Sequence, residues 1–204
     1  MSQREAFAAD YDVPRETMDR FDAYADLLAE WQMRMNLVGP STLPDIWKRH
    51  FADSAQLLSM AGPGKCWLDI GAGAGFPGLV IALLDPHATL TLVESIAKKC
   101  RFLTEAVAQL GIGDRVMIEN RRVEQLPRQK FDIITARALA ALDRLFDWGM
   151  PYAGAGTRWI LPKGAQVKAE LDIAIERFAF DYRFVPSRTD DAARIVIASG
   201  VKRR

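Results

Sequence analysis

At 204 residues the chain suits one domain with a full core and an added subdomain. Half of it is hydrophobic and 26% is charged, an ordinary balance for a soluble globular protein, and no apolar run approaches the roughly 20 residues of a membrane-spanning helix. A net charge of +1 neither demands nor excludes a nucleic-acid partner, so any RNA site must be a local basic patch.

Met1-Ser2-Gln3-Arg4-Glu5 lacks the apolar core of a signal peptide. Cys66 falls in a strand pattern and Cys100 in a helix pattern, as reduced thiols of a cytoplasmic protein would. Neither the cysteines nor the histidines have metal-ligand spacing, so no metal is expected. Residues 14 to 36 carry Met18, Phe21, Tyr24, Leu28, Trp31 and Met35 at steps of three and four, which predicts an amphipathic helix with Pro14 in its first turn. Asn36 to Pro40 end it. Ser41 or Thr42 can cap a second helix, with Pro44 near its start. That helix is expected to turn Ile46, Trp47, Phe51, Leu57 and Leu58 to a core and Lys48, Arg49, His50 and Asp53 elsewhere. Gly62-Pro63-Gly64 then closes a helical preface, residues 1–62, and sets it apart from an α/β domain over 63–204.

The stretch Cys66 to Gly78 organises the second unit. An apolar strand pattern, Cys66 to Ile70, runs straight into Gly71, Gly73 and Gly75. Glycines at alternate positions let the backbone turn tightly and lie against a ligand. The helix predicted near 77–84 aims its first N–H groups at the same place, the carboxyl end of a strand, where open α/β sheets put their sites. A dinucleotide is the obvious rival ligand, yet its fingerprint puts the third glycine three residues after the second, whereas here Gly75 follows Gly73 by two. Asp69, two residues before the first glycine, also argues against a pyrophosphate and for a cationic ligand such as the sulfonium and amine of S-adenosylmethionine. Thr89 to Val93 reads as the next strand and ends on Glu94, roughly 20 residues past the loop, where an acid can accept from ribose hydroxyls.

Strands are further predicted near 116–120, 131–136, 156–161, 181–186 and 194–198, and helices near 96–110, 139–150 and 165–179. Alternation of this kind implies a parallel sheet with right-handed crossovers. The last two strands have no helical pattern between them and are expected to pair antiparallel at one edge.

The acid-Ile-Gly-x-Gly-x-Gly loop in a seven-stranded sheet with one antiparallel strand resembles the class I S-adenosylmethionine-dependent methyltransferases, a Rossmann-like α/β fold, here with an N-terminal helical extension. Asp69 to Gly75, ending in Phe76-Pro77-Gly78, is similar to the RsmG (GidB) family in particular. Met35 to Val38, His50 to Ser54, Ser95 with Lys98 to Leu103, Arg122-Val123-Glu124, Ala136-Arg137-Ala138 and Leu161 to Gly164 agree with it in the same order. One departure is Glu94, where the family often has Asp. The resemblance implies methylation of N7 of one guanine in small-subunit ribosomal RNA. It places cofactor contacts on Gly71, Phe76, Val123, Glu124 and Arg137, beside Asp69, Gly73, Gly75 and Glu94 read from the loop itself.

In methyl transfer from a sulfonium the protein supplies binding, orientation and electrostatics. Guanine N7 already carries an acceptor lone pair. No general base is therefore assigned, and Arg137 and Lys163 are the candidates for steering the guanine or the RNA backbone. Lys98, Lys99, Arg101, Arg121, Arg122, Lys48, Arg49 and His50 are the available basic surface, while Lys202-Arg203-Arg204 reads as a frayed end. The expected partner is ribosomal RNA of the small subunit, with the protein acting as a monomer and without a membrane. Three alternatives stand beside this reading. A small-molecule methyltransferase would show a closed apolar pocket. A non-catalytic ribosome-assembly factor would have no reason to keep Asp69, the glycines and Glu94. A nicotinamide oxidoreductase is disfavoured by the glycine spacing.

Overall fold

Ser2 opens the first helix, α1 (Gln3–Asp10), with a reciprocal cap: its side chain accepts from the Glu5 N–H at 3.2 Å, and the Glu5 carboxylate accepts from the Ser2 N–H at 2.8 Å. The sequence pattern had not indicated this helix, because Phe7 is its one buried residue. The computed structural model describes residues 1–62 and 65–204; Pro63 and Gly64, where the expected boundary between preface and sheet falls, lie outside the described residues. Helix α2 (Arg15–Gln32) stops short of the predicted end. The Gln32 side chain takes over the turn, accepting from the Leu37 and Val38 N–H groups at 2.9 and 3.1 Å and donating to the Val38 carbonyl at 3.0 Å.

The second helix of the preface does not form as one piece. Pro40–Thr42 make a 3₁₀ turn, Trp47–Ala52 wind as a π-helix, and two short turns, α3 (Asp53–Ala55) and α4 (Leu58–Ala61), complete the segment. The wider π turn changes which side chains share a face. Phe51 enters an aromatic cluster, 5.0 Å from the Phe21 ring and 4.9 Å from Trp47, while buried His50 stacks on Phe76.

From Cys66 strands and helices alternate as expected: β1 (Cys66–Ile70), α5 (Gly78–Leu84), β2 (Thr89–Val93), α6 (Ala97–Leu110), β3 (Val116–Glu119), β4 (Phe131–Thr135), α7 (Leu142–Gly149), β5 (Ala153–Lys163), α8 (Val167–Arg177), β6 (Phe178–Pro186) and β7 (Arg194–Arg203). The seven-stranded sheet runs β3-β2-β1-β4-β5-β7-β6. β7 pairs antiparallel with both β5 and β6, and it is the one antiparallel strand in an otherwise parallel sheet. Its end corrects one expectation. Residues 202–203 are not frayed: Lys202 and Arg203 pair with Ala179 and Phe178, and Arg203 donates to Asp147 at 2.6 Å.

Two cores flank the sheet. On one face the preface shares a continuous apolar core with α5 and α6, through Phe21, Tyr24, Phe51, Leu79 and Phe102. On the other, Phe146 of α7 and Leu171 of α8 pack with Trp159 and Phe178. Removing one such ring from water is worth about 1.5–3 kcal/mol. The preface is thereby held over the carboxyl ends of β1 and β4, where the glycine loop emerges.

Candidate active site

The loop after β1 is built from below. The Gly71 and Ala72 N–H groups both donate to the Val93 carbonyl at the end of β2, at 2.8 and 3.0 Å. Gly71 has φ +72°, a conformation that favours glycine, and a Cβ there would lie 2.7 Å from a Leu139 methyl, which would have to move aside. A Cβ at Gly73, where φ is +56°, would meet only the Gly71 carbonyl, at 3.8 Å, so that side of the residue faces open space. That space is a cavity of about 780 Å³, within the usual range for small-molecule sites.

Of the residues singled out from the sequence, Gly71, Gly73, Phe76, Glu94, Val123, Glu124 and Arg137 line this cavity. Glu94 is clamped from both sides, its Oε2 accepting from the Gly73 N–H at 3.0 Å and its Oε1 from the Ile96 N–H at 2.8 Å. Each oxygen keeps a further lone pair, which suits a hydroxyl donor. Val123 is fixed by Tyr152, whose hydroxyl donates to the Val123 carbonyl.

Asp69 and Gly75, expected at the ligand, are not among the residues that line this cavity. The Asp69 carboxylate is fully buried beneath the loop, where Oδ2 accepts from the Gly78 N–H at 3.0 Å and Oδ1 has no partner among the described residues. Burial pushes its pKa up to about 7, only partly offset by the Gly78 N–H. It organises the first turn of α5. Gly75 packs against Leu79 and the Tyr24 hydroxyl.

At the tip of β4, Arg137 meets the preface. Its Nη2 donates to His50 Nδ1 at 2.9 Å, its Nη1 to the Arg49 carbonyl at 3.3 Å, and its guanidinium lies 4.8 Å from the centre of the Phe76 ring. Because arginine can only donate, His50 Nδ1 accepts and its Nε2 carries the hydrogen, which goes to Thr42 Oγ1 at 2.8 Å. Burial first, then the charges of Arg137 and Arg49, push the His50 pKa down to about 3. The imidazole is neutral with both nitrogens engaged, so it cannot serve as a proton acceptor near neutrality. Ala138, next in the chain, holds φ +53°, a conformation that non-glycine residues rarely adopt.

Thr42, His50, Arg137, Ala138 and Leu139 line both this cavity and a second one of about 490 Å³ at the carboxyl ends of β4 and β5. Lys163 lines the second cavity only, and its ammonium is already engaged by Glu170 and the Ala140 carbonyl, each at 2.6 Å. Among the basic residues considered for RNA, Arg49 pairs with Asp190 at 3.2 Å and Arg121 with Glu119 at 2.7 Å, while Lys99, Arg121 and Arg122 border the first cavity. His50 and Asp53 were placed away from the core by helical spacing, but the structure puts both at the second cavity. A 3.6-residue period cannot anticipate a π turn. The one sequence signal was the stretch His50 to Ser54 as a motif.

The family model described as rRNA small subunit methyltransferase G, GidB, matches residues 17–193. A protein of Rhizorhabdus wittichii named Ribosomal RNA small subunit methyltransferase G is 43% identical over 194 residues, 94% of this chain and 89% of its own length. One of the same name from Hyphomonas neptunium is 40% identical, covering 100% and 99% of the two chains. Solved structures similar in fold include a ribosomal protein L11 methylase of Lactobacillus delbrueckii subsp. bulgaricus (TM-score 0.55, 20% identity, 76% of this chain and 77% of that one). A putative S-adenosyl-L-methionine-dependent methyltransferase of Methanococcus maripaludis is another (TM-score 0.58, 12% identity, 80% and 93%). With a family match over most of its length and full-length relatives at such identity, the chain belongs to the GidB family, the small-subunit ribosomal RNA methyltransferases G.

Proposed function

We propose that this protein methylates N7 of a guanine in small-subunit ribosomal RNA, with S-adenosylmethionine as methyl donor. The observation that carries the reading is the pair of adjoining cavities, which share a wall holding Arg137 and a neutral, fully engaged His50. One cavity has the fittings for an adenosyl donor: the face of Gly73 open to a ligand, the Glu94 carboxylate with lone pairs to spare, and Val123-Glu124 after β3. When bound there, the donor supplies an activated sulfonium methyl. Glu94 would accept from its ribose hydroxyls, and the loop backbone at Gly71 and Gly73 would border it.

The acceptor's chemistry asks little more of the chain. N7 attacks with its own lone pair, so no side chain has to remove a proton. The residues at the wall match that requirement, since His50 holds no free nitrogen and Arg137 only donates. What remains is positioning, worth roughly 7–11 kcal/mol of barrier when the reacting atoms are well aligned. Arg137 is proposed as the orienting group. Lys163, ion-paired with Glu170 on the lining of the second cavity, is proposed as a further steering contact.

The test is mass spectrometry of ribosomal RNA nucleosides from cells with and without the protein, paired with transfer of labelled methyl from S-adenosylmethionine to small subunits by the purified protein. 7-Methylguanosine should be lost from small-subunit RNA in the deleted cells and restored in vitro. An unchanged 7-methylguanosine content would defeat the reading.

A further inference from the structure

A base that presents N7 to the first cavity lies in the second, and guanine can be held there only by groups matching its other edge. That edge places the O6 acceptor beside the N1–H and N2 amino donors. A protein site complementary to it needs an N–H donor next to an acceptor with free lone pairs.

Three carboxylates line the second cavity, and the cation each one faces distinguishes them. Glu170 Oε2 already accepts from the Leu142 N–H at 3.0 Å and from Lys163 at 2.6 Å. Asp190 accepts from Arg49 at 3.2 Å through Oδ2 and from the Ala192 N–H at 3.0 Å through Oδ1. Asp53 is different. Its Oδ1 is occupied by the Thr189 hydroxyl at 2.7 Å and Gln56 Nε2 at 3.0 Å, which fix the carboxylate in place. Its Oδ2 faces only Arg137 Nη1, at 3.5 Å, too far for a good hydrogen bond. The guanidinium in turn keeps its Nε–H unengaged among the described residues. Arg137 and Asp53 therefore set a donor beside an acceptor on the second cavity, next to the shared wall.

We propose that Asp53 is a specificity-determining residue, its Oδ2 accepting from the N1–H and N2 amino group of the target guanine while Arg137 donates to O6. The inference rests on the methyltransferase reading above. Adenine presents the opposite pattern, an amino donor at position 6 and an acceptor at N1, so the same pair repels it. The bonds to Thr189 and Gln56 hold the loop between β6 and β7 as the far rim of this base site.

The experiment uses small subunits assembled from ligated RNA carrying guanine, inosine or 2-aminopurine at the methylated position, with single-turnover transfer of labelled methyl by the full chain. Inosine lacks the N2 amino group, and 2-aminopurine presents an acceptor at N1. The unaltered protein should rank them guanine, inosine, 2-aminopurine. Asp53→Asn offers an amide N–H in place of Oδ2. It should lower transfer to guanine roughly 10- to 100-fold while leaving 2-aminopurine unchanged or faster, so that discrimination collapses. Asp53→Glu, which keeps the charge but displaces it, should fall between. Thr189→Val removes the loop contact without touching Oδ2 and should keep the ranking. Equal losses on all three bases in Asp53→Asn, or the same collapse in Thr189→Val, would overturn the assignment. Failure of the unaltered protein to methylate the guanine substrate would instead overturn the reading on which it rests.

Discussion

Tyr24 ties the preface to the glycine loop through one hydrogen bond, and removing its hydroxyl measures that link. The hydroxyl donates to the Ala74 carbonyl at 2.5 Å in a fully buried position. The ring lies 5.4 Å from both Phe51 and Phe76. Tyr24→Phe keeps these ring contacts and deletes only the donor, so the Ala74 carbonyl is left dry and unpaired. A buried group in that state costs about 1–3 kcal/mol. In a domain of this size each kcal/mol lowers the melting temperature by roughly 2–4 °C. Urea unfolding should show a lower midpoint at an unchanged slope, because the exposed surface is the same. The loop freed at Ala74 is also the loop that faces the cavity, so affinity for S-adenosylhomocysteine by calorimetry should fall with stability. A Tyr24→Phe protein with unaltered stability would refute the claim that this bond is a dry, obligatory contact. One that loses stability but keeps full affinity would refute the coupling of preface to loop.

Single-turnover transfer is expected to be nearly flat from about pH 6 to 8.5, because no proton acceptor acts and His50 titrates near 3; a sigmoid near pH 6.5 that vanishes in His50→Gln would show that the imidazole does take a proton. Asp69 has a pKa of about 7 when folded against 3.8 ordinarily, so the native state holds its proton more tightly than the unfolded chain. Its contribution to stability is full below pH 3.8 and is lost as pH rises through 7, and Asp69→Asn should flatten urea midpoints across that window; an unchanged slope would mean the carboxyl is ionised throughout. Association with small-subunit RNA should weaken log-linearly with salt, and replacing Lys98, Lys99 and Arg101 together should make that slope shallower. Gel-shift titrations with an identical slope would place those residues away from phosphate.

The sheet was legible because its signals are local. Apolar runs such as Phe131 to Thr135 and Leu90 to Val93 alternate with helical periods, and each became a strand of the parallel sheet close to its expected bounds. The glycine loop was legible too, since positive φ at Gly71 and Gly73 is a demand that one residue type meets. Helix α1 was not, because it buries one side chain and is held by tertiary contacts of Phe7 with Phe21 and Trp47. Nor was the order of the last strands, in which β7 inserts between β5 and β6, since pairing partners depend on the closing of a loop rather than on pattern.

The preface shows why a site can be harder to read than its fold. Asp69 obeys the motif in sequence yet lies behind the loop, because a carboxylate at the end of β1 finds the Gly78 N–H before it can reach a ligand. His50 and Asp53 look solvent-facing by helical spacing, yet three steps of local physics bring them inward. The π turn rotates His50 onto Phe76, Arg137 then takes the ring's Nδ1 as acceptor, and the same guanidinium comes within 3.5 Å of the Asp53 carboxylate. None of these steps works without the others. Without Arg137 the imidazole loses the donor at Nδ1 and one of the charges that, after burial, keep it neutral, and without His50 the guanidinium loses a partner that fixes its plane. An Arg137→Lys protein supplies a single point charge where a planar fork is needed, so it should restore less of the rate lost in Arg137→Ala than charge alone would predict. Full recovery by lysine would show that the site uses Arg137 as a charge and not as a shape.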